Sequence, residues 1–494
     1  MEARNTRRAL CFWVCLLAAG AAYAFTGWRF NVPFAPWIAA VLLIRFARGQ
    51  RRWTALLAAI PVLALASFVQ MNGGWDLEPW MVALACVVRP APFIAALFVD
   101  RALRPRLPRW ASTLAFPTIA LAVDYAIALS PLGSGMAIGA TQFEMPVIAQ
   151  LASVTGIWGI ELLLGWIAAV VATLWEEKLD LSRVGRLAAV AGCVLLAVVA
   201  YGSARYALTR PASPTVRVGS ITVPHARDYW AWIDQGTPRS LVEPYAGELA
   251  ALDEELFRQS GRAVAAGARI VFWSEGDGVI TEDGEQAFKD RAAAFARDNN
   301  VYFAPAILVL RYGQGISDNK IVMFTPEGRE AYTYVKTMSW YPTGSDGVLK
   351  VADTPYGRIG AAICFDMDFP GFIHGLARQK VDIVLVPAFD KERIRPFHTE
   401  VGLMRGIENG FSVVRQTNEG TSLAIDGSGR VVARQEFFET KDRLMLADVP
   451  TRRVPTVASA LGDLFAYAGI LVGLALVVWG ILRAARSGRR SARA

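Results

Sequence analysis

Of the five cysteines in this 494-residue chain, Cys11, Cys15, Cys86 and Cys193 lie in long apolar runs, where a thiol behaves as a small apolar residue. Cys364 stands apart, in the stretch GAAICFDMDFPG. With no other cysteine between 205 and 463, it is either a buried structural thiol or a reactive one. A reactive thiol attacks a carbonyl as the thiolate, so it needs a base and a donor for the oxyanion that forms. The local pattern suits that chemistry. Residues 358–363 read as a buried strand, and Cys364-Phe365-Asp366 follows at its carboxyl end, before Pro370 and a helical stretch. A strand-to-helix turn lifts a nucleophile out of the sheet and leaves backbone N–H groups beside it. The histidines, His225, His374 and His398, show no spacing that singles out a Cys–His partner, and they read as structural or surface residues. Two other groups occupy places like that of Cys364. Glu275 follows the apolar strand 270–273, and Lys336 follows the strand 332–335.

The elements that must carry these residues have an α/β texture. Short β-rich runs stand at 216–223, 269–273, 301–309, 320–324, 358–363, 381–386, 411–416 and 444–449. Helical stretches at 243–266, 285–299 and 399–409 lie between several of them. Pro326-Glu327-Gly328 and Asp426-Gly427-Ser428-Gly429 are turn signals that join hairpins. Hairpins mixed with crossovers predict a sheet covered by helices, or two packed sheets.

The rest of the chain is of another kind. The composition is 54% hydrophobic and 19% charged, which excludes a disordered chain and argues against a purely water-soluble one. Apolar runs of about 17–25 residues are long enough to cross a bilayer as helices. Seven precede residue 205, at 10–27, 31–45, 53–71, 79–99, 110–130, 146–175 and 184–204, and an eighth lies at 464–482. The sixth is overlong and reads as starting with a surface or re-entrant stretch. Residues 211–455 hold 28 Lys/Arg and 32 Asp/Glu, whereas the remaining ends hold 23 and 11, so the basic surplus travels with the apolar runs. The segments 4–8, 45–52, 101–109, 178–186 and 483–493 hold 19 Lys/Arg, whereas the loops at 28–30, 72–78 and 131–145 hold only Arg29. This alternation places both termini in the cytoplasm and 205–463 outside, and it gives no reason to expect nucleic acid as a partner. Arg89, Asp124 and Glu161 fall inside predicted spans, with Arg89 pairing with one of the two acids as one arrangement. The expected domains are 1–204, seven spans; 205–463, catalytic; and 464–494, a last span with a basic tail.

Glu275 in IVFWSEG, Lys336 in YTYVKTM and Cys364 in GAAICFDMDFPG resemble, in order, the Glu-Lys-Cys triad of the nitrilase superfamily of carbon–nitrogen hydrolases. Residues 405–410 (RGIENG), 415–420 (RQTNEG) and the 426–430 hairpin extend the match over about 215–450. With the apolar spans on either side, and 150–159 (QLASVTGIWG), the chain is similar to the apolipoprotein N-acyltransferase family. The resemblance implies a polytopic α-helical protein of the bacterial inner membrane with an inserted, periplasmic α/β domain, a four-layer α-β-β-α sandwich. It implies transfer of an acyl group from a phospholipid, through a Cys364 thioester, to the terminal amine of a diacylglyceryl lipoprotein, with no metal or organic cofactor. Glu275 is then the general base, and Lys336 with the Phe365 N–H stabilises the oxyanion, with Asp366 beside them. Trp230, Trp232, Trp340 and Tyr341 either line a lipid entrance or simply pack.

The sequence departs from that family at three places. Gly344 stands where a loop glutamate is usual, with Asp346 two residues on; Asp366 replaces a glutamate; and Pro387-Ala388-Phe389-Asp390 replaces a Ser-Asn-Asp stretch and looks closer to a soluble amidase. A membrane-tethered carbon–nitrogen hydrolase, or an acyltransferase for another amine, is therefore the alternative. A lipid-binding scaffold with a decayed site is a third, non-enzymatic reading.

Overall fold

The computed structural model describes residues 2–28, 30–72, 79–209, 213–314, 317–340, 343–395 and 397–491. The chain divides into two compact units, one made of 1–206 with 461–494 and the other of 207–460.

In the first unit the apolar runs become helices, since a run without charge leaves its backbone polar groups to satisfy one another. Among the described residues, six helices are long and apolar enough to cross a membrane: Arg52–Met71, Pro79–Leu103, Arg109–Ala128, Ile157–Glu176, Leu181–Leu208 and Leu464–Ser487. The first two runs differ from expectation. The apolar part of the first helix is Leu10–Tyr23, and the second helix, Ala35–Gly49, spans 15 residues, about 22 Å at 1.5 Å per residue. The overlong run is broken at Gly156, whose φ of 65° separates the short helix Ala152–Thr155 from Ile157–Glu176. A small antiparallel pair, β1 (Thr26–Gly27) and β2 (Phe30–Asn31), follows the first helix.

The charges inside this unit are tied to specific partners. Arg48 makes two 2.8 Å bonds to Asp100 and a 3.0 Å bond to Thr173 Oγ1. Arg48 is therefore a buried cross-link between helices and not a solvated loop charge. Arg89 donates to Gln70 Oε1 at 2.6 Å and to Thr26 O at 2.6 Å. The suggested pairing of Arg89 with Asp124 or Glu161 is not among its hydrogen bonds.

The second unit holds fourteen strands among its described residues. They are β3 (Thr215–Ile221), β4 (Ile270–Trp273), β5 (Gly278–Thr281), β6 (Tyr302–Ala304), β7 (Ala306–Leu310), β8 (Ser317–Phe324), β9 (Glu330–Val335), β10 (Val351–Thr354), β11 (Gly357–Ala361), β12 (Ile383–Phe389), β13 (Ser412–Asn418), β14 (Thr421–Ile425), β15 (Val431–Glu436) and β16 (Leu444–Pro450). One sheet runs β10-β11-β12-β13-β14-β15. The other runs β16-β3-β4-β6-β8-β7-β5, with β9 paired to β8. The run 301–309 becomes two strands because Pro305 has no N–H for the ladder; β8 pairs with β6 through Phe324 and with β7 over 317–321.

The two sheets face each other. Ser220 Oγ donates to Gln416 Oε1 at 2.6 Å and Ser274 Oγ to Ala388 O at 2.6 Å, both from one sheet to the other. Helices Ala246–Ala265 and Glu285–Asn299 cover the outer side of the larger sheet, and Pro370–Arg378 with Phe397–Asn409 cover the smaller. Strands β4, β7, β12 and β13 are buried along nearly their whole length; the first three are continuous apolar runs, whereas β13 buries Arg415, Gln416, Thr417 and Asn418. The carboxyl ends of β4, β9, β11 and β12 lead into Glu275, Lys336, Cys364 and Asp390.

Candidate active site

Cys364 follows β11 and opens a 3₁₀ turn, Cys364–Asp368, before the helix Pro370–Arg378. Its φ is +50°, in the left-handed region that a residue with a Cβ rarely occupies. Such a conformation costs on the order of 1–3 kcal/mol and persists where surrounding bonds over-determine it. Asp366 supplies those bonds. Its Oδ2 accepts from Ile363 N at 2.8 Å and Tyr334 Oη at 2.7 Å, and its Oδ1 from Met338 N at 2.7 Å and Thr337 N at 3.3 Å. One carboxyl therefore ties the cysteine turn to the segment after β9, which bears Lys336. Burial pushes this carboxyl up to about 6, against the pull of Tyr334, the Met338 and Ile363 N–H groups and the Lys336 charge.

Lys336 and Glu275 meet. Lys336 Nζ lies 2.7 Å from Glu275 Oε1. Asn319 Nδ2 donates to the same oxygen at 2.6 Å, and Phe389 N donates to Oε2 at 2.9 Å. The β8–β9 register accounts for two of these donors. Lys320 faces Val335, so Asn319 comes level with Lys336, whose N–H bonds Asn319 O at 2.9 Å. Burial alone would lower the Lys336 ammonium, but the charges of Glu275 and Cys364 hold it above its ordinary value. Phe389 links this pair to the sulfur, because Cys364 Sγ donates to Phe389 O at 3.6 Å. Burial, followed by the Glu275 charge, raises the thiol well above its ordinary value, against the pull of Lys336 and Arg415.

The sulfur has a second set of charged neighbours: His398, which reads in the sequence as structural or surface, with Asp390 and Arg415, which stand there only within longer stretches. Asp390 follows β12 and accepts from His398 Nδ1 at 2.6 Å and from Arg415 Nη2 at 2.8 and 3.0 Å. His398 Nε2 faces Asp368 Oδ2 at 3.0 Å. His398 Nδ1 also lies 3.2 Å from Arg415 Nη2; with a carboxylate oxygen closer at each nitrogen the imidazole donates from both and is cationic, Arg415 being a like-charge neighbour. Burial opposes that charge, yet Asp390 and Asp368 push His398 up to about 9. For Asp390, burial would raise the carboxyl, and Arg415 with His398 instead hold it well below the usual range. The sulfur, an Asp390 oxygen and a His398 nitrogen all lie within 4.8 Å of one another. A thiol, a carboxylate and an imidazole this close have the donor types of a metal site, but here the carboxylate is engaged by Arg415 and both imidazole nitrogens by carboxylates.

The remaining expected residues fall around this centre. Phe365 stacks on Trp340 at 5.9 Å between ring centres, and Trp340 is 60% exposed. Tyr341 lies outside the described residues. Asp346 is exposed and pairs with Lys350. Trp232 is buried against Tyr229 and Tyr245, a packing role, while Trp230 lies 6.2 Å from the Phe389 ring. A Cβ added to Gly344 would stand 3.6 Å from Asp318 Oδ1, so a glutamate here would bring its charge toward an existing carboxylate. Asn319 joins the site without a signal in the sequence, whereas Asp390 and Arg415 join it from the 387–390 and 415–420 stretches.

Residues 250–458 match the carbon–nitrogen hydrolase family. An apolipoprotein N-acyltransferase of Geobacter metallireducens is 22% identical over 81% of this chain and 80% of its own length. One of Rhizobium rhizogenes is 26% identical over 61% of each chain. A deaminated glutathione amidase of Yersinia enterocolitica is 29% identical over 24% of this chain and 44% of its own length. The resemblance read from the motifs therefore holds: a carbon–nitrogen hydrolase domain, within a chain similar to the N-acyltransferases over much of its length.

Proposed function

We propose that this protein is a membrane-bound N-acyltransferase that carries an acyl group from a phospholipid, as a thioester on Cys364, to the terminal amine of a diacylglyceryl lipoprotein. The observation that carries this reading is one thiol turn, held by Asp366 to the Lys336 segment and linked through Phe389 to the Glu275–Lys336 pair, in a chain similar to acyltransferases over 81% of its length. The six apolar helices and the basic loops support an inner-membrane protein with cytoplasmic termini and a periplasmic catalytic unit.

In the first half-reaction Glu275 takes the Sγ proton as the sulfur attacks the ester carbonyl. The oxyanion is met by Lys336 and the Phe365 N–H. The C–O bond then breaks, and the proton passes to the leaving alkoxide, which departs as lysophospholipid. In the second half-reaction the amine attacks the thioester and gives a proton to Glu275. The C–S bond breaks, the sulfur regains that proton, and an amide is left. Since burial raises the thiol, proton removal accompanies attack and does not precede it.

Mass spectrometry of the full chain incubated with phospholipid vesicles tests this reading. The Cys364 peptide should carry an acyl adduct that hydroxylamine releases. Cys364→Ala should lose both the adduct and lipoprotein N-acylation while keeping its unfolding transition. A wild-type protein that forms no adduct overturns the proposal. If small amides turn over without phospholipid, the amidase reading, which the match to the glutathione-derived amidase favours, replaces it.

A further inference from the structure

We propose that His398, held between Asp368 and Asp390, is a positioning residue for Cys364, supplying the positive charge against which the thiolate forms and departs. The inference rests on Cys364 being the nucleophile, and it adds a Cys–imidazolium relation to the Glu275–Lys336 pair on the other side of the sulfur. The groups facing His398 come from three further elements. Asp368 and Cys364 lie on the turn after β11, Asp390 follows β12, and Arg415 stands on β13; Thr399, on the histidine's own helix, bonds both Arg415 Nε at 3.1 Å and Asp390 Oδ2 at 3.4 Å. The arrangement fixes the ring, since both nitrogens are engaged and Asp390 is itself anchored by its N–H to Asn418 O at 2.9 Å.

Counting charge shows what this ring decides. Around the sulfur, Lys336, Arg415 and protonated His398 stand against Glu275, Asp390, Asp368 and, on the cysteine's own turn, Asp366. When His398 is neutral the negative surplus grows by one, and a thiolate adds a further uncompensated charge in a buried site. His398 is about one-tenth exposed and Asp390 fully buried, so water screens this balance poorly. Both half-reactions need the balance, because negative charge develops on the sulfur as its proton leaves during attack on the ester and again as the amine displaces it.

The test uses the full chain in detergent and follows alkylation of Cys364 by iodoacetamide, read by the mass of its peptide, so it requires neither phospholipid nor lipoprotein. The thiolate displaces iodide, and the rate reports the thiolate fraction. In the wild type the rate should rise about tenfold per pH unit, level off near pH 9 as the imidazolium discharges, then rise again. Levelling follows because above that pH the thiolate–imidazolium form and the neutral thiol–imidazole form hold the same number of protons. A single uninterrupted rise in the wild type overturns the proposal. His398→Gln should abolish the plateau and slow alkylation at pH 7.5 at least tenfold, whereas His398→Lys should restore the neutral-pH rate to within threefold. Equal impairment in two folded variants means that shape alone matters, and that too overturns it. If acyl transfer fails but the plateau is present, only the function proposed above falls.

Discussion

At the scale of single residues, the site is organised by two carboxylates that do different work. Asp366 accepts four bonds and holds shape, whereas Glu275, the proposed base, accepts three. A carboxylate that accepts from Lys336, Asn319 and Phe389 has little rotational freedom, and its remaining lone pairs are aimed by those three donors. Asn319 is the one of them whose loss leaves both the charge of Lys336 and the backbone intact. Asn319→Ala should therefore lower the rate of thioester formation by about 10–100-fold, short of removing general-base catalysis altogether, with the phospholipid KM little changed. Asn319→Asp should be worse than alanine, because it sets a second negative charge in direct contact with Glu275. Single-turnover acylation of Cys364 by vesicles measures both, and an aspartate variant faster than the alanine variant would contradict this view of Glu275.

At the scale of elements, legibility follows from what each element does. Strands β4, β11 and β12 are apolar because they are buried, whereas β9 alternates and β13 buries polar side chains; Glu275, Lys336, Cys364 and Asp390 follow the ends of β4, β9, β11 and β12, so runs and reactive residues could be read together. Strands β5 and β10 are four residues long, too short for alternation to register. His398 was invisible for another reason. Its partners lie 8 and 30 residues away in sequence, and only the packing of helix Phe397–Asn409 over β13, β14 and the Cys364 turn gathers them. That gathering makes the network a clamp between elements. Asp390→Ala would leave Arg415, 1% exposed, without its partner, and should destabilise the unit by about 3–5 kcal/mol. The signs of the pH effects are opposite at the two ends. Asp390 is held below its ordinary value, so its contribution is present above about pH 4 and is lost as pH falls further. His398 is raised to about 9, so its contribution is complete below its unfolded value of 6.5 and is lost as pH climbs through 9. Melting temperature of the full chain should peak between these limits and fall on both sides, and Asp390→Ala should lose most of the acidic and alkaline dependence together.

At the scale of the whole molecule, the same charges have to be sorted into those that set orientation and those that build structure. The alternation of basic and neutral loops is an argument about the bilayer, yet Arg48, counted among the basic loops, is buried on Asp100 and Thr173. Arg104 likewise pairs with Glu176, and Arg109 with Glu177 at 2.9 Å. Cross-links of this kind spend arginines without weakening the asymmetry, because the opposite loops hold only Arg29. The orientation argument thus survives the loss of several of its members, and it makes a prediction that the fold alone does not. Asp346 is exposed in the catalytic unit and Ser487 is exposed near the end of the last helix. In intact spheroplasts, a cysteine at Asp346 should react with a membrane-impermeant thiol reagent. A cysteine at Ser487 should react only after the membrane is opened. Labelling of both from outside would contradict the orientation read from the basic loops, and labelling of Ser487→Cys alone would place the thiol turn, in the same unit as Asp346, on the side of the membrane away from the proposed acceptor, where no arrangement of Glu275, Lys336 and His398 around Cys364 could make it a lipoprotein acyltransferase.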